Sequence, residues 1–329
     1  MQLYDYGLST LEQYGLSADS SCRTRGGLLC RTAKGLLILR EFHGSEKKLG
    51  KQQELLCRLQ ENGCMTDVFL ENLQGSLVSR DKDEIPYTLQ YWYEGRECDT
   101  KSREDILKSV YSLATIHGIM KMPDFGGYQE RSLEEEYIRH NQELKKIRKF
   151  IRRKGAECEF EKLFLSSVQW FLEKGEKALE LLRSTGYQRL REQALEQGCI
   201  CHGEYNQHNV LMQRNGVAVT NFGQWSCGIQ MADLYCFMRK ILEKYQWDPV
   251  LAEKMLKTYH ERKPISKEEW ENLKVRFSYP DKYWKLADYY YTHNKVLISG
   301  KNVEKLQTLI SQKENWESFV SECFEKYPF

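Results

Sequence analysis

The segment Cys201-His202-Gly203-Glu204-Tyr205-Asn206-Gln207-His208-Asn209-Val210-Leu211-Met212 decides how the rest of this 329-residue chain is read. Its skeleton is His-x-acid, four further residues, Asn, and then an apolar strand. Asn215-Gly216 follows as a hairpin turn, since glycine supplies the positive φ such a turn needs. The returning strand Val217-Ala218-Val219-Thr220 ends in Asn221-Phe222-Gly223, and Asp233 opens a helix in Ala232-Asp233-Leu234-Tyr235.

Working outward, the first hundred residues read as strand-rich with one longer helix. Ser9 to Gly15 is a short helix ended by its glycine. Leu28–Thr32 and Leu36–Phe42 form a hairpin across Ala33-Lys34-Gly35. Ser45 is an expected N-cap, Leu49, Gln52, Leu55, Leu56 and Leu59 follow at helical spacing, and Gly63 closes that helix. Val68–Leu70, Ser76–Val78 and the aromatic run Tyr87–Tyr93 read as strands, the last ending at Glu94-Gly95. From Ser102 the pattern turns helical, with Ile106, Val110, Leu113, Ala114 and His117 on one face and Gly118 at its end. Long helices are expected over Leu133–Arg153 and Glu159–Ser184, a strand-like island over Cys199–Val219, and helices again to Tyr327. Strands and helices do not alternate as they would around a parallel sheet. The expectation is an α+β protein of two lobes: residues 1–94 small and β-rich, residues 95–329 mostly helical and carrying segment 201–223.

Lys and Arg total 49 against 47 for Asp and Glu, so the net charge of +2 gives no global field for nucleic acid or anionic lipid. No apolar run approaches the roughly 18 residues of a membrane helix. The first ten residues lack a basic start and an apolar core, so they do not read as a secretory signal, and the expected compartment is the cytoplasm. The basic runs Lys145-Lys146, Arg148-Lys149 and Arg152-Arg153-Lys154 follow Glu134-Glu135-Glu136 on one helix, which reads as a solvated face rather than a nucleic-acid groove. The 11 cysteines are scattered, the tightest spacing being Cys199-x-Cys201, and they read as small apolar thiols in a reducing compartment.

The order His202-Gly203-Glu204, Asn209, Asn221-Phe222-Gly223, Asp233-Leu234 resembles the aminoglycoside phosphotransferase and choline kinase superfamily. Within it the wording is most similar to the CotS-like spore coat proteins. Arg25-Gly26-Gly27, Tyr91 to Gly95, Asp233 to Lys240 and Trp284 to Gly300 (with Ile298-Ser299-Gly300) fit as well, so the resemblance covers nearly the whole chain. It implies a kinase-like fold, a place among other spore coat proteins, synthesis in the mother-cell cytoplasm and deposition on the coat. It also implies a cleft for ATP and Mg²⁺. There Glu204 stands at the position of the catalytic base, Asn209 and Asn221 at those of the metal ligands, Arg40 at that of the phosphate-binding lysine, and Gln90 and Trp92 beside the nucleotide. Glu54 is the expected acid partner of Arg40, and His202 and Asp233 are expected to brace the loop.

Three departures bear on activity. Active members carry Asp where this chain has Glu204 and Asn221, and Lys where it has Arg40; a Gly-x-Gly-x-x-Gly loop is absent. Asn221 brings no charge to a metal, and a lengthened acid at 204 displaces its carboxylate by about 1 Å, enough to cost roughly 100-fold in rate. The expectation is a pseudokinase coat protein with a structural or scaffolding role. An active phosphotransferase acting on a small hydroxylated molecule or sugar, with Glu204 as base, stays open as the alternative, as does a nucleotide- or sugar-binding module.

Overall fold

Alternating burial along Gly27–Thr32 (β2) and a buried centre in Gly35–Glu41 (β3) put Leu28, Cys30, Leu37 and Leu39 on one face of a sheet. That face packs with Tyr87, Leu89 and Leu70 against Leu11 and Tyr14, which lie on a 3-10 turn over Leu8–Tyr14 ended by Gly15. The computed structural model describes residues 7–292, 300–325 and 328. Ile298 and Ser299 of the resembling stretch, and Tyr327, lie outside them.

Two antiparallel neighbours complete the core of this sheet, Ser20–Thr24 (β1) beside β2 and Pro86–Tyr91 (β6) beside β3. With Ser79–Arg80 (β5) the order is β1-β2-β3-β6-β5. The helix Glu46–Glu61 (α1) joins β3 to Met65–Thr66 (β4), with Ser45 accepting from the Lys48 N–H as its N-cap. Its buried face consists of Leu49, Gln52, Leu55, Leu56 and Leu59, the set that the 3.6-residue spacing picks out. After Arg96–Glu97 (β7) comes Arg103–Ile119 (α2); Gly118 falls inside this helix, not at its end. Val68–Leu70 forms only an isolated bridge, Phe69 to Gln90, and the strand expected over Ser76–Val78 lies at Ser79–Arg80.

The remaining elements are Leu133–Lys154 (α3), Glu159–Ser184 (α4), Tyr187–Glu196 (α5), Ile200–Cys201 (β8), Val210–Gln213 (β9), Gly216–Val219 (β10), Ser226–Cys227 (β11), Met231–Leu242 (α6), Pro249–Arg262 (α7), Lys267–Ser278 (α8), Asp281–Thr292 (α9), Gly300–Ser311 (α10) and Lys313–Cys323 (α11). A second sheet has the order β4-β10-β9-β7, with β4 parallel to β10, and β11 pairs with β8.

The chain divides into two compact units. The first comprises Met1–Gln129, Leu195–Asp233 and Glu261–Lys263 and holds both larger sheets. The second comprises Glu130–Ala194, Leu234–His260 and Pro264–Phe329. In it α3 packs on α4 and α9, and rings stack across the helices: Tyr137 on Tyr279 at 3.6 Å, His140 on Trp284 at 3.4 Å and Phe171 on Tyr283 at 3.9 Å. Acids fill the first turn of α3 and bases its last, as the helix dipole favours. Of the tyrosines at 289 to 291, Tyr290 is buried, while Tyr289 and Tyr291 are exposed.

Candidate functional site

The loop between β8 and β9 and the turn after β10 lie wholly in the first unit. The loop is held from behind by Asp233. Its Oδ2 accepts the His202 N–H at 2.6 Å and lies 3.1 Å from His117 Nε2; its Oδ1 accepts the Gly203 N–H at 2.9 Å. Burial by itself would raise this carboxyl, but the hydrogen bond and charge of His117, together with His202, outweigh it and hold the group below the usual range. Asp233 therefore stays ionised in a fully buried place because donors surround it.

His202 is equally constrained. Its Nε2–H donates to the Thr220 carbonyl at 3.0 Å, and its Nδ1 accepts the Glu204 N–H at 3.1 Å. One ring nitrogen donates and the other accepts, so the imidazole is neutral and its tautomer is fixed. Burial drives its pKa down, against the opposing pull of Asp233. Gly203 has φ +83°, and a Cβ there would come within 2.2 Å of the Gln224 carbonyl oxygen, so the loop closes only over a glycine.

From this turn Glu204 emerges exposed, while its carbonyl accepts from the Asn209 side chain at 2.9 Å and from that of Asn206 at 2.8 Å. Asn209 is buried, and its Oδ1 accepts from Asn221 Nδ2 at 2.6 Å. Asn221 sits in the left-handed region at φ 66°, which a short amide side chain tolerates better than most residues. His208, which the sequence leaves without a partner, lies 2.5 Å from Glu97 Oε2 through Nδ1.

A second group forms around Arg40. Its Nη1 lies 3.7 Å from Asp67 Oδ2 and donates to Gln90 Oε1 at 3.3 Å, and its guanidinium carbon lies 5.0 Å from the Trp92 ring centroid. Gln90 also donates from Nε2 to the Asp67 carbonyl at 2.6 Å. The expected pairing of Arg40 with Glu54 is not formed. Glu54 lies on the outer side of α1, is exposed, and pairs with Lys51 at 3.2 Å, because the face of α1 turned inward carries Gln52 between leucines. The acid that meets Arg40 is Asp67, directly after β4, which sequence reasoning missed. The parallel register pairs Val219 with Thr66, so the next residues, Asp67 and Thr220, come side by side, and Asp67 Oδ2 accepts the Asn221 N–H at 2.9 Å. Burial pushes the Asp67 carboxyl up to about 6, against the opposing pull of Arg40 and the Asn221 N–H. The only hint in the sequence is a lone acid heading the apolar run Val68-Phe69-Leu70.

Lys48, also missed, reaches from α1 toward the same turn. Its Nζ lies 3.5 Å from the Gly223 carbonyl and over the rings of Tyr128 and Trp225, at 5.6 and 5.4 Å from their centroids. Burial lowers its pKa.

The structure thus brings Glu204, Asn209, Asn221, His202 and Asp233 together, groups Arg40 with Gln90 and Trp92, joins the two groups through Asp67, and leaves Glu54 outside. Mg²⁺ prefers carboxylate, phosphate and water oxygens in near-ideal octahedral geometry. The two candidate ligands here are neutral amides hydrogen-bonded to each other, so this donor set does not match a phosphate-bridging magnesium. Among the described residues no group of three or more His, Cys, Asp or Glu is placed to hold a metal ion. No helix among them is long and apolar enough to cross a membrane.

Comparison with known proteins bears on the family and the fold. A family model described as "Spore coat putative kinase YutH" matches residues 9–323. Among solved structures, an aminoglycoside phosphotransferase from Alicyclobacillus acidocaldarius superposes with a TM-score of 0.86 at 18% identity, covering 96% of this chain and 95% of that one. A spectinomycin phosphotransferase in complex with ADP and its antibiotic gives 0.64 at 10% identity, covering 97% of each chain. The amicoumacin kinase hAmiN with AMP-PNP and Ca²⁺ gives 0.57 at 11%, covering 93% and 89%. The fold is that of the aminoglycoside phosphotransferases and choline kinases, α+β with a β-sheet N-lobe and a helical C-lobe. Structural neighbours bind ADP or an ATP analogue, one of them with a metal ion.

Proposed function

The chain belongs to the YutH family of spore coat proteins, a kinase-like family, and from that premise we propose that it serves the endospore coat as a kinase-shaped scaffold and not as a phosphotransferase. The observation that carries this reading is the 2.6 Å hydrogen bond between Asn221 and Asn209. In a working phosphotransferase these positions turn their oxygens to the metal that bridges the phosphates. Here the Asn209 oxygen accepts from the Asn221 amide nitrogen instead, and neither side chain brings a charge. A unit charge missing 4 Å from a divalent cation weakens the attraction by several kcal/mol, at about 4 kcal/mol per pair of unit charges and an effective dielectric near 20. Family membership supports a coat location, with other spore coat proteins as partners after synthesis in the mother cell.

One observation favours the alternative, an active enzyme phosphorylating a small hydroxylated molecule or sugar. Glu204 is an exposed carboxylate on a loop whose hydrogen bonds are complete. Calorimetry of ATP binding with and without Mg²⁺ on the full chain separates the two. The scaffold reading expects no magnesium-dependent binding; tight binding that requires Mg²⁺ would sink it. Fractionation of spores tests the location, since a coat protein stays with the coat extract whether or not it binds nucleotide.

A further inference from the structure

We propose that Asp67 is a positioning residue that couples the β3 cation to the Asn221 turn, taking from the end of β4 the part that a helix-borne glutamate plays in kinases. The proposal rests on the kinase-derived cleft described above but not on whether nucleotide binds there. In kinases the strand lysine pairs with a glutamate of the following helix, and the position of that helix controls the site. Here α1 cannot supply the acid. Its buried face is Leu49, Gln52, Leu55, Leu56 and Leu59, and Glu54 is turned outward to Lys51. Gln53 is engaged with both backbone groups of Phe69, donating to its carbonyl at 3.1 Å and accepting its N–H at 3.0 Å.

Asp67 fills the gap from another element. It is wholly buried, and one carboxylate oxygen serves two masters: Oδ2 faces Arg40 Nη1 at 3.7 Å and accepts the Asn221 N–H at 2.9 Å. Its Oδ1 accepts no hydrogen bond from the described residues. The charge of Arg40 is therefore the main compensation for a carboxylate removed from water, and a buried charge that loses its partner relocates or takes up a proton. Gln90 keeps the pair in register by binding Arg40 with its oxygen and the Asp67 backbone with its nitrogen. A change at Arg40 must then be felt at Asn221, which Arg40 does not touch, through the shared oxygen. In this protein the strand cation is linked to the turn after β10 without passing through the helix.

The test compares the full-length wild type with R40Q, D67N, R40Q/D67N and R40K. It reads the melting temperature and the hydrogen-exchange rate of the Asn221 backbone amide, relative to that of Leu55 in α1. R40Q is expected to speed exchange at Asn221 about tenfold more than at Leu55. The double variant should melt no lower than the worse single variant, since the second substitution removes a charge that the first has already orphaned. R40K keeps the charge and should return Asn221 to within about threefold of the wild-type rate, which also covers the case in which R40Q fails to fold. Strictly additive melting losses, unchanged relative exchange at Asn221 in R40Q, or fast exchange in R40K would each overturn the coupling. Calorimetry of wild-type protein with ATP and Mg²⁺ is read separately: binding there removes the scaffold reading and leaves the exchange result to decide on Asp67.

Discussion

The turn at His202, in the loop that leads into β9, and the turn at Asn221, which leaves the neighbouring β10, belong to one unit, yet their hydrogen bonds do different things. Around His202 the bonds run from backbone N–H groups to side chains behind the loop: two to Asp233 and one to the His202 ring, with the ring's other nitrogen on the Thr220 carbonyl. None involves the carboxylate of Glu204, so the loop keeps its shape whatever acid stands there. Around Asn221 the contacts tie side chains to one another: the Asn221 amide donates to that of Asn209, and the Asp67 carboxylate that accepts the Asn221 N–H is ion-paired with Arg40. The first turn is a support that leaves its functional side chain free; the second uses its functional side chains as the support. Architecture and chemistry are therefore separable in this fold, and the comparison can be pressed from the first turn to the second.

The largest effect is expected behind the loop. Asp233→Ala removes the acceptor for two backbone donors and the partner of His117, in a site where Asp233 is 2% exposed. Breaking such a buried charged network costs about 3–5 kcal/mol. Chemical denaturation of the variant measures it, and a loss below about 1 kcal/mol would mean that the loop does not depend on its brace. His202→Phe keeps an aromatic ring but loses one donor and one acceptor. At about 1–3 kcal/mol for each of the two buried groups left unsatisfied, it should cost about 2–6 kcal/mol by the same measurement.

How much of this was open to a reader of the sequence follows from the same contrast. The loop could be read because its spacing lies within one contiguous segment, from His202 to Asn209. The α1 face could be read because burial follows a local period, and all five expected positions are buried. Asp67 could not, since its meeting with Asn221 depends on a parallel strand register 154 residues apart, and a sequence holds no sign of which strands pair. Glu54 failed for the reverse reason. Helical spacing placed it on α1, but which acid a buried arginine meets depends on the phase of the helix, and the inward face was already taken up by Gln52 and leucines. The two-residue strands β4 and β7 carry too few residues to show a period of two. Asn221 was legible as a departure, but its hydrogen bond to Asn209 is a tertiary contact across two strands.

Acid supplies the next, smaller test, and it compares the two units. Burial lowers the pKa of His202 in the first unit, and that of His140 in the second to about 4. His140 accepts from Arg139 at 3.1 Å, which only a neutral ring can do. An unfolded histidine titrates near 6.5. Below that pH the unfolded chain binds protons that the native rings refuse, so stability is fully present above about 6.5 and falls as pH drops, for His140 until about pH 4. Each ring contributes a slope of at most about 1.4 kcal/mol per pH unit. Melting curves between pH 7 and 5 should show this decline, and H202Q and H140Q should each flatten it. A decline unaffected by either substitution would place the acid sensitivity elsewhere.

The smallest expected change is at the second turn. Asn221→Asp removes the donor to Asn209 and sets a second carboxylate beside Asp67, whose Oδ2 already accepts the backbone N–H of the same residue. Loss of one hydrogen bond and one like-charge contact, the latter partly screened at a half-buried position, should lower stability by about 1–2 kcal/mol without divalent ions. Magnesium then discriminates. In the wild type the two amides are bonded to each other, and added Mg²⁺ should leave the melting temperature where it was. In N221D the new carboxylate and the released Asn209 oxygen form a harder donor pair, and Mg²⁺ should recover most of the loss. A wild-type protein that gains as much from Mg²⁺ as the variant would show that the amide pair opens readily to a cation, and the contrast between a supporting turn and a self-occupied one would no longer hold.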